Sequence, residues 1–178
     1  LTLAAAQESG LRIRHVDVET GGNAGGYYSY NVSGWHIVAL NSNCSVVACA
    51  DGSAQGDWLK ADLARNKTRC VAAYWHHPLF SSGEHGNNPM VKPLWAQLQK
   101  AGAEIVLSGH DHNYERFAPQ DQNGVVNAKH GIREFVVGTG GRSHYGVGAR
   151  KPNSQIAIDD QFGALALQLG KDRYKWRF

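Results

Sequence analysis

The sequence predicts an α/β fold, and three observations carry that prediction. Between residues 35 and 107, segments of strand character alternate with segments of helical period in the order strand, helix, strand, helix, strand. Each of these strands runs into a loop, and ligands in such sheets gather beyond the carboxyl ends of the strands. After residue 117 the helical period disappears, and short β-rich segments follow one another between glycines and turn residues. No repeat or linker interrupts the 178 residues, a length suited to one domain with a proper core, so 1–178 reads as a single domain.

The elements follow in order. Leu11, Ile13, His15 and Asp17 alternate with Arg12, Arg14, Val16 and Val18, which suggests a strand whose faces are poorly distinguished, and the glycine-rich run 21–26 is a loop. Residues 27–32 and 35–41 are rich in aromatic and β-branched side chains and are separated by Ser33-Gly34, a two-residue hairpin signal. Ser53 can cap a helix reaching about Asn66, with Trp58, Leu59 and Leu63 on one side and Asp57, Lys60, Asp62 and Arg65 elsewhere. Residues 70–75 are almost wholly apolar, as a strand buried on both faces should be, and they deliver His76. The polar loop 78–88 is longer than a plain connection needs, which favours a functional role. Val91, Leu94, Trp95 and Leu98 recur at helical spacing, Pro93 is tolerable in the first turn, and Gly102 ends the helix. Strand 104–107 leads into a histidine loop, and 114–117, 132–137, 155–159, 162–169 and 173–178 read as further strands.

Composition narrows the function. With 42% apolar and 19% charged residues the chain is that of an ordinary globular protein rather than a disordered one. The formal charge of +3 is scattered and forms no basic stripe, so nucleic acid is not an expected partner. No apolar run approaches the roughly 18–20 residues that a bilayer span needs, so no membrane is expected either. The apolar residues 1–6 lack the length and basic start of a signal peptide, and an opening without Met together with a strand-like end suggests a fragment. Three cysteines allow at most one internal pair: Cys44 and Cys49 can close a short loop in an oxidising compartment or stay reduced elsewhere, whereas Cys70 opens an apolar strand and packs as a small hydrophobe. No Cys-x2-Cys spacing exists to build a structural thiolate zinc site.

The chemistry concentrates in two stretches, Tyr74-Trp75-His76-His77-Pro78 and Ser108-Gly109-His110-Asp111-His112-Asn113-Tyr114-Glu115-Arg116. In an extended segment His110 and His112 face the same side, Gly109 permits a turn, and neutral imidazoles are metal ligands; the bland account is two exposed loop histidines. His76, at a buried strand's end, aims at the same pocket unless backbone carbonyls satisfy it. His77 faces the other way and reads either as a support behind the ligands or as packing. Asp111 and Glu115 can each fix a ligand histidine by accepting its far N–H, or they lie on the surface. Glu84 and His85 read as a solvated pair, His15, His36, His130 and His144 have no matching partners, and Gly138 to Arg142 lacks the Lys-Ser or Lys-Thr of a phosphate loop and so reads as a tight strand-end turn.

Taken together, His76-His77-Pro78 and Gly109-His110-Asp111-His112-Asn113-Tyr114-Glu115-Arg116 resemble the metallophosphoesterase superfamily, in particular its purple acid phosphatase branch, with an H-x-P segment followed by G-H-x-H-x-Y-E-R. The similarity runs from about Tyr27 to the end, leaving 1–26 poorly matched. The resemblance implies two packed mixed β-sheets flanked by helices, and two metal ions, Fe, Zn or Mn, sharing a bridging carboxylate and hydroxide. It implies His76 and His110 as ligands of one ion, His112 as a ligand of the other, and His85, nine residues past His76, on the phosphate or leaving group of a small phosphate ester. The family's D-x-H, G-D-x-x-D or G-D-x-x-Y, and G-N-H-D or G-N-H-E segments have no counterpart here, so the chain is expected to supply the histidine half and to lack an N-terminal segment of the same domain. The competing expectation is a truncated or degenerate non-catalytic domain, a weak metal-binding or interaction scaffold. The cysteines and the resemblance favour a secreted or periplasmic home.

Overall fold

A computed structural model describes residues 25–178; the expected strand around residues 11–18 lies outside the described residues. Among the described residues nine strands and two helices follow one another: β1 (Tyr28–Val32), β2 (Trp35–Ala39), α1 (Ala54–Arg65), β3 (Cys70–Tyr74), α2 (Lys92–Lys100), β4 (Ile105–Ser108), β5 (Tyr114–Phe117), β6 (Arg133–Val137), β7 (Ser154–Ile158), β8 (Ala166–Leu169) and β9 (Tyr174–Arg177), with a 3-10 turn Pro89–Val91 before α2. Strands β1 to β7 form one mixed sheet in the order β1-β2-β3-β4-β6-β5-β7, and β8 and β9 form a separate hairpin. β2, β3, β4 and β6 run parallel, while β1, β5 and β7 join antiparallel.

Local chemistry explains the elements. Ser33 and Gly34 both adopt positive φ, 50° and 83°, the geometry that a tight hairpin between β1 and β2 requires. Ser53 caps α1 by accepting the Gly56 N–H at 3.1 Å, and Asp57 and Arg65 sit at the helix ends that suit their charges. Val91, Leu94, Trp95 and Leu98 are fully buried, as their spacing predicts, and Gly102 at φ 80° lets the chain leave α2.

One face of the large sheet packs Val38, Val71, Ala73 and Val106 against α1 and α2. The other packs Trp35, Ile37, Ile105 and Phe135 under the β8–β9 hairpin, where the Trp35 indole N–H donates to the Gly170 carbonyl at 2.8 Å. Tyr114 stacks on Phe178 with ring centres 4.1 Å apart. A sheet face, a second small sheet and two helices therefore reproduce the expected layered α/β sandwich. Asp62 departs from the expectation that it lies off the buried side: it is buried, accepting from Ser29 Oγ at 2.8 Å and facing His36 Nε2 at 2.7 Å. Burial works to raise its pKa, but the His36 and Ser29 hydrogen bonds outweigh it and the carboxyl is held below its ordinary value.

Candidate functional site

The loops that follow β2, β3, β4 and β6 meet at the carboxyl edge of the parallel strands, the place where such sheets collect ligands. Ser42, beyond β2, organises the turn after β3: its Oγ accepts the N–H groups of His76 at 3.2 Å and His77 at 2.9 Å. That turn breaks the alternation of an extended chain. His77 consequently does not face away from His76; their rings lie 4.8 Å apart, and both approach His110.

Beyond β4 the Gly109 N–H donates to the His76 carbonyl at 3.0 Å, and His110 then adopts φ 67°. A left-handed residue with a side chain costs roughly 1–2 kcal/mol, a strain that persists only where the surroundings enforce it. The segment is thus kinked rather than extended, and the kink swings the His110 ring onto His76. His76 Nε2 and His110 Nδ1 lie 3.1 Å apart, and one ring nitrogen each of His76, His77 and His110 fall within 4.8 Å of one another. Burial lowers the pKa of His110 to about 4, helped by the proximity of His85, His77 and His76; burial and then His77, His112 and His85 lower that of His76. Protonation of both rings is thus disfavoured, and a neutral imidazole has one nitrogen lone pair to offer a cation.

Those two nitrogens are spaced as ligands of one ion at about 2.0–2.1 Å would be. His77 is differently placed. Its Nδ1 lies 2.9 Å from Ser42 Oγ, whose lone pairs already accept two backbone N–H groups, so the hydroxyl proton points at Nδ1. In that arrangement the His77 Nδ1 lone pair is engaged by Ser42, whereas no such hydroxyl engages His76 Nε2 or His110 Nδ1.

His112 arrives by another route. Its Nδ1 lies 2.7 Å from the Ser143 carbonyl, which can only accept, so Nδ1 carries the proton and Nε2 presents the lone pair. Tyr145 stacks on the ring at 3.8 Å and 12°. His112 is not within the group of three, although it is close enough to His76 to disfavour its protonation. Alternation along an extended segment is therefore not what brings His110 and His112 to one region. His85 completes the ring of side chains, 4.1 Å from His110 and 5.1 Å from Tyr145.

Beneath loop 78–88 lie three wholly buried carboxylates, Asp111, Glu115 and Glu134. Asp111 accepts from His85 and Ser81, Glu115 from the Ser82 N–H and hydroxyl, and Glu134 from the Leu79 and Phe80 N–H groups at 3.0 and 2.9 Å. The carboxylates of Asp111 and Glu115 are hydrogen-bonded to other groups than His76, His110 and His112, and neither lies on the surface. Burial pushes the Glu134 carboxyl up to about 8 against the opposing pull of the Phe80 and Leu79 amides. A lone acid inside the apolar strand 132–137 was a signal of that role. The segment after β6 is also more than a tight turn. It reaches across to loop 78–88 through Gly148 N–H to Ser82 O at 3.0 Å and Lys151 N–H to Ser82 Oγ at 2.8 Å, laying Tyr145 between His112 and His85. No spacing in the sequence marked Tyr145.

His36 lies elsewhere, between Asn31 and Asp62, and His144 rests 4.2 Å from Phe162. The disulfide is present: Cys44 pairs with Cys49, and Cys70 is a buried free thiol. Among the described residues no helix is long and apolar enough to cross a membrane.

Residues 12–114 match the family model of calcineurin-like phosphoesterases, a match that begins upstream of Tyr27. The chain is 33% identical over 149 residues to probable purple acid phosphatase 20 of Arabidopsis thaliana, covering 79% of this chain and 34% of that one. It is 32% identical over 141 residues to purple acid phosphatase 21 of the same plant, covering 74% and 30%. The solved structure of the purple acid phosphatase PPD1 from yellow lupin superposes with a TM-score of 0.72 at 23% identity, over 85% of this chain and 30% of that chain. The chain thus spans about a third of the length of these relatives.

Proposed function

The chain belongs to the calcineurin-like phosphoesterase family, on its purple acid phosphatase-like side, and from that premise we propose that it carries the histidine half of a centre hydrolysing small phosphate monoesters. The observation that carries the proposal is the meeting of His76 Nε2 and His110 Nδ1 at 3.1 Å, two neutral imidazoles brought together from loops 34 residues apart. Within the proposal His76 and His110 hold one metal ion and His112 the other, with Fe, Zn and Mn as the candidates. When bound, two such ions supply the positive charge that polarises phosphoryl oxygens and lowers the pKa of water.

The chain's own residues do the rest. The Ser143 carbonyl and the Tyr145 ring hold His112 so that Nε2 faces outward, and Ser42 fixes the turn that presents His76. His85, with 41% of its side chain exposed beside His110, is placed to hold the phosphoryl oxygens or to give a proton to the leaving oxygen. The group of three contains no carboxylate, so its charge cannot by itself hold two divalent ions close together. Asn113, fully buried next to His112, has both amide atoms without a partner among the described residues, which supports completion of the site by further polar groups. We take these to come from an N-terminal segment of the same domain. The Cys44–Cys49 disulfide supports an oxidising, secreted or periplasmic setting.

The test is turnover of p-nitrophenyl phosphate by the full-length protein. His110→Ala or His112→Ala should remove nearly all activity together with bound metal, and His85→Ala should lower kcat on an alkyl phosphate by about 10²–10⁴ with metal retained. Full activity and full metal content in His110→Ala would refute the ligand assignment and favour a non-catalytic scaffold.

A further inference from the structure

We infer that Asp111 is the positioning residue of the site, acting through His85; this rests on the reading of His85 as the group that meets the leaving oxygen. Asp111 stands between two ligand candidates in sequence, yet its carboxylate is hydrogen-bonded to Ser81 and His85 instead and is wholly buried. A single oxygen, Oδ1, accepts both the His85 backbone N–H at 2.9 Å and the His85 ring Nδ1–H at 2.8 Å. The other oxygen accepts the Ser81 hydroxyl, and Ser81 Oγ in turn accepts the Gly83 N–H at 3.0 Å. One carboxylate thereby fixes where His85 sits and how its ring is turned.

Asp111 is itself held at both its side chain and its backbone. A Cβ on Gly83 would stand 2.5 Å from Asp111 Cγ, so the loop passes directly over it, and a Cβ on Gly138 would stand 2.0 Å from the Asp111 carbonyl oxygen. Glu115 and Glu134 clamp the same loop, but through Ser82, Leu79 and Phe80, which have no ionisable ring. Asp111 alone of the three reaches a histidine.

The consequence is chemical. With Nδ1–H committed to Asp111, the proton that His85 can deliver is the one on Nε2, the nitrogen away from the carboxylate. As water adds to phosphorus and the bond from phosphorus to the leaving oxygen breaks, that oxygen takes the Nε2 proton and departs as a neutral alcohol. The ring keeps its Nδ1–H on Asp111, and a proton from solvent replaces the one given up at Nε2. The same orienting arrangement serves a base in the Ser-His-Asp triad.

The experiment compares Asp111→Ala, Asp111→Asn, His85→Ala and the double variant Asp111→Ala/His85→Ala in the full-length, metal-loaded protein. An alkyl phosphate, whose leaving group needs the proton, is set against p-nitrophenyl phosphate, whose leaving group does not. Asp111→Ala should lower kcat on the alkyl ester by about 10² or more with KM little changed, and at least tenfold less on the aryl ester. Asp111→Asn, which keeps an acceptor and the packing, should recover much of the loss. In the His85→Ala background Asp111→Ala should cost nothing further, as expected for two residues working as a unit. Heteronuclear NMR of the histidine rings should show His85 losing its Nδ1–H preference in Asp111→Ala. An equal Asp111→Ala loss on both esters, or an equal loss with and without His85, overturns the inference while leaving His85 in place. A His85→Ala variant with no preference between the esters overturns the reading of His85 and the inference with it.

Discussion

Gly138→Ala is the substitution whose outcome the geometry constrains most tightly. A Cβ at this position would meet the Asp111 carbonyl oxygen at 2.0 Å, the Asp111 carbonyl carbon at 2.8 Å and the His112 Cα at 3.0 Å. Ordinary contact begins near 3.4 Å, so the two segments must separate by 1.4 Å, the difference between 3.4 and 2.0. All three atoms belong to the backbone, and no rotamer change relieves the clash. The same displacement stretches the Gly138 N–H to Asn113 carbonyl hydrogen bond, now 2.9 Å. Overpacking of this kind costs about 1–3 kcal/mol and a buried hydrogen bond about 1 kcal/mol, so a loss of about 2–4 kcal/mol is expected. The segment that moves carries His112, a ligand in the function proposed above, and a shift of a ligand's support lowers metal affinity by about 10–100-fold. Urea denaturation and calorimetric zinc titration read the two effects. Gly140→Ala is the control: nothing lies within 4 Å of its Cβ, and stability should change by no more than about 0.5 kcal/mol. A Gly138→Ala protein as stable as Gly140→Ala, with unchanged zinc affinity, would refute the reasoning.

Glu134 predicts a pH dependence. Burial raises its pKa from 4.5 to about 8, so between those values the folded state holds a proton that the unfolded state has lost, and stability falls as pH rises. His110 has the opposite sign: lowered from 6.5 to about 4, it costs stability as pH falls through that window and has no slope above 6.5. Metal-free protein should therefore lose stability from pH 6.5 to 8 and Glu134→Gln should not; a flat wild-type profile there rules the account out. Opening the Cys44–Cys49 bridge, which spans a sequence separation of 5, should cost about 2 kcal/mol by loop entropy, seen as a lower denaturation midpoint under reducing conditions; identical midpoints would contradict it. Tyr145→Ala should weaken zinc binding about tenfold while Tyr145→Phe, which keeps the stack on His112, should not; equal affinities in all three proteins would remove Tyr145 from the site.

Much of this arrangement was legible in the chain because it is written in local patterns. The Ser33-Gly34 hairpin, the Ser53 cap and the Val91, Leu94, Trp95, Leu98 stripe depend on neighbours in sequence, and each formed as its residues dictate. His76 and His110 could be placed at strand ends, since buried strands bounded by turns are visible without a partner. What stayed hidden depends on contacts between distant segments. The left-handed φ of His110 is enforced by surroundings from other loops, which is why simple alternation misplaced His77 and misdescribed how His112 arrives. Asp111 and Glu115 looked like optional surface groups because their donors, His85, Ser81 and Ser82, lie about 30 residues away. Tyr145 sits on a glycine-rich stretch whose course is set by backbone bonds to Ser82, and no composition reveals that.

Because the site stands on strand tips, its donor set is decided by strand register. Tyr74 pairs with Leu107 across β3 and β4, and the Gly109 N–H to His76 carbonyl bond continues that ladder one step further. A slip of one residue between these strands would move the carboxylate of Asp111 toward the place of the His110 imidazole and turn every inward side chain of β4 to the wrong face. The apolar faces of Ile105 and Val106, one under the hairpin and one under the helices, thus hold the register that brings the His110 imidazole rather than the Asp111 carboxylate to His76. Core packing and the proposed donor set are, in this molecule, a single alignment problem.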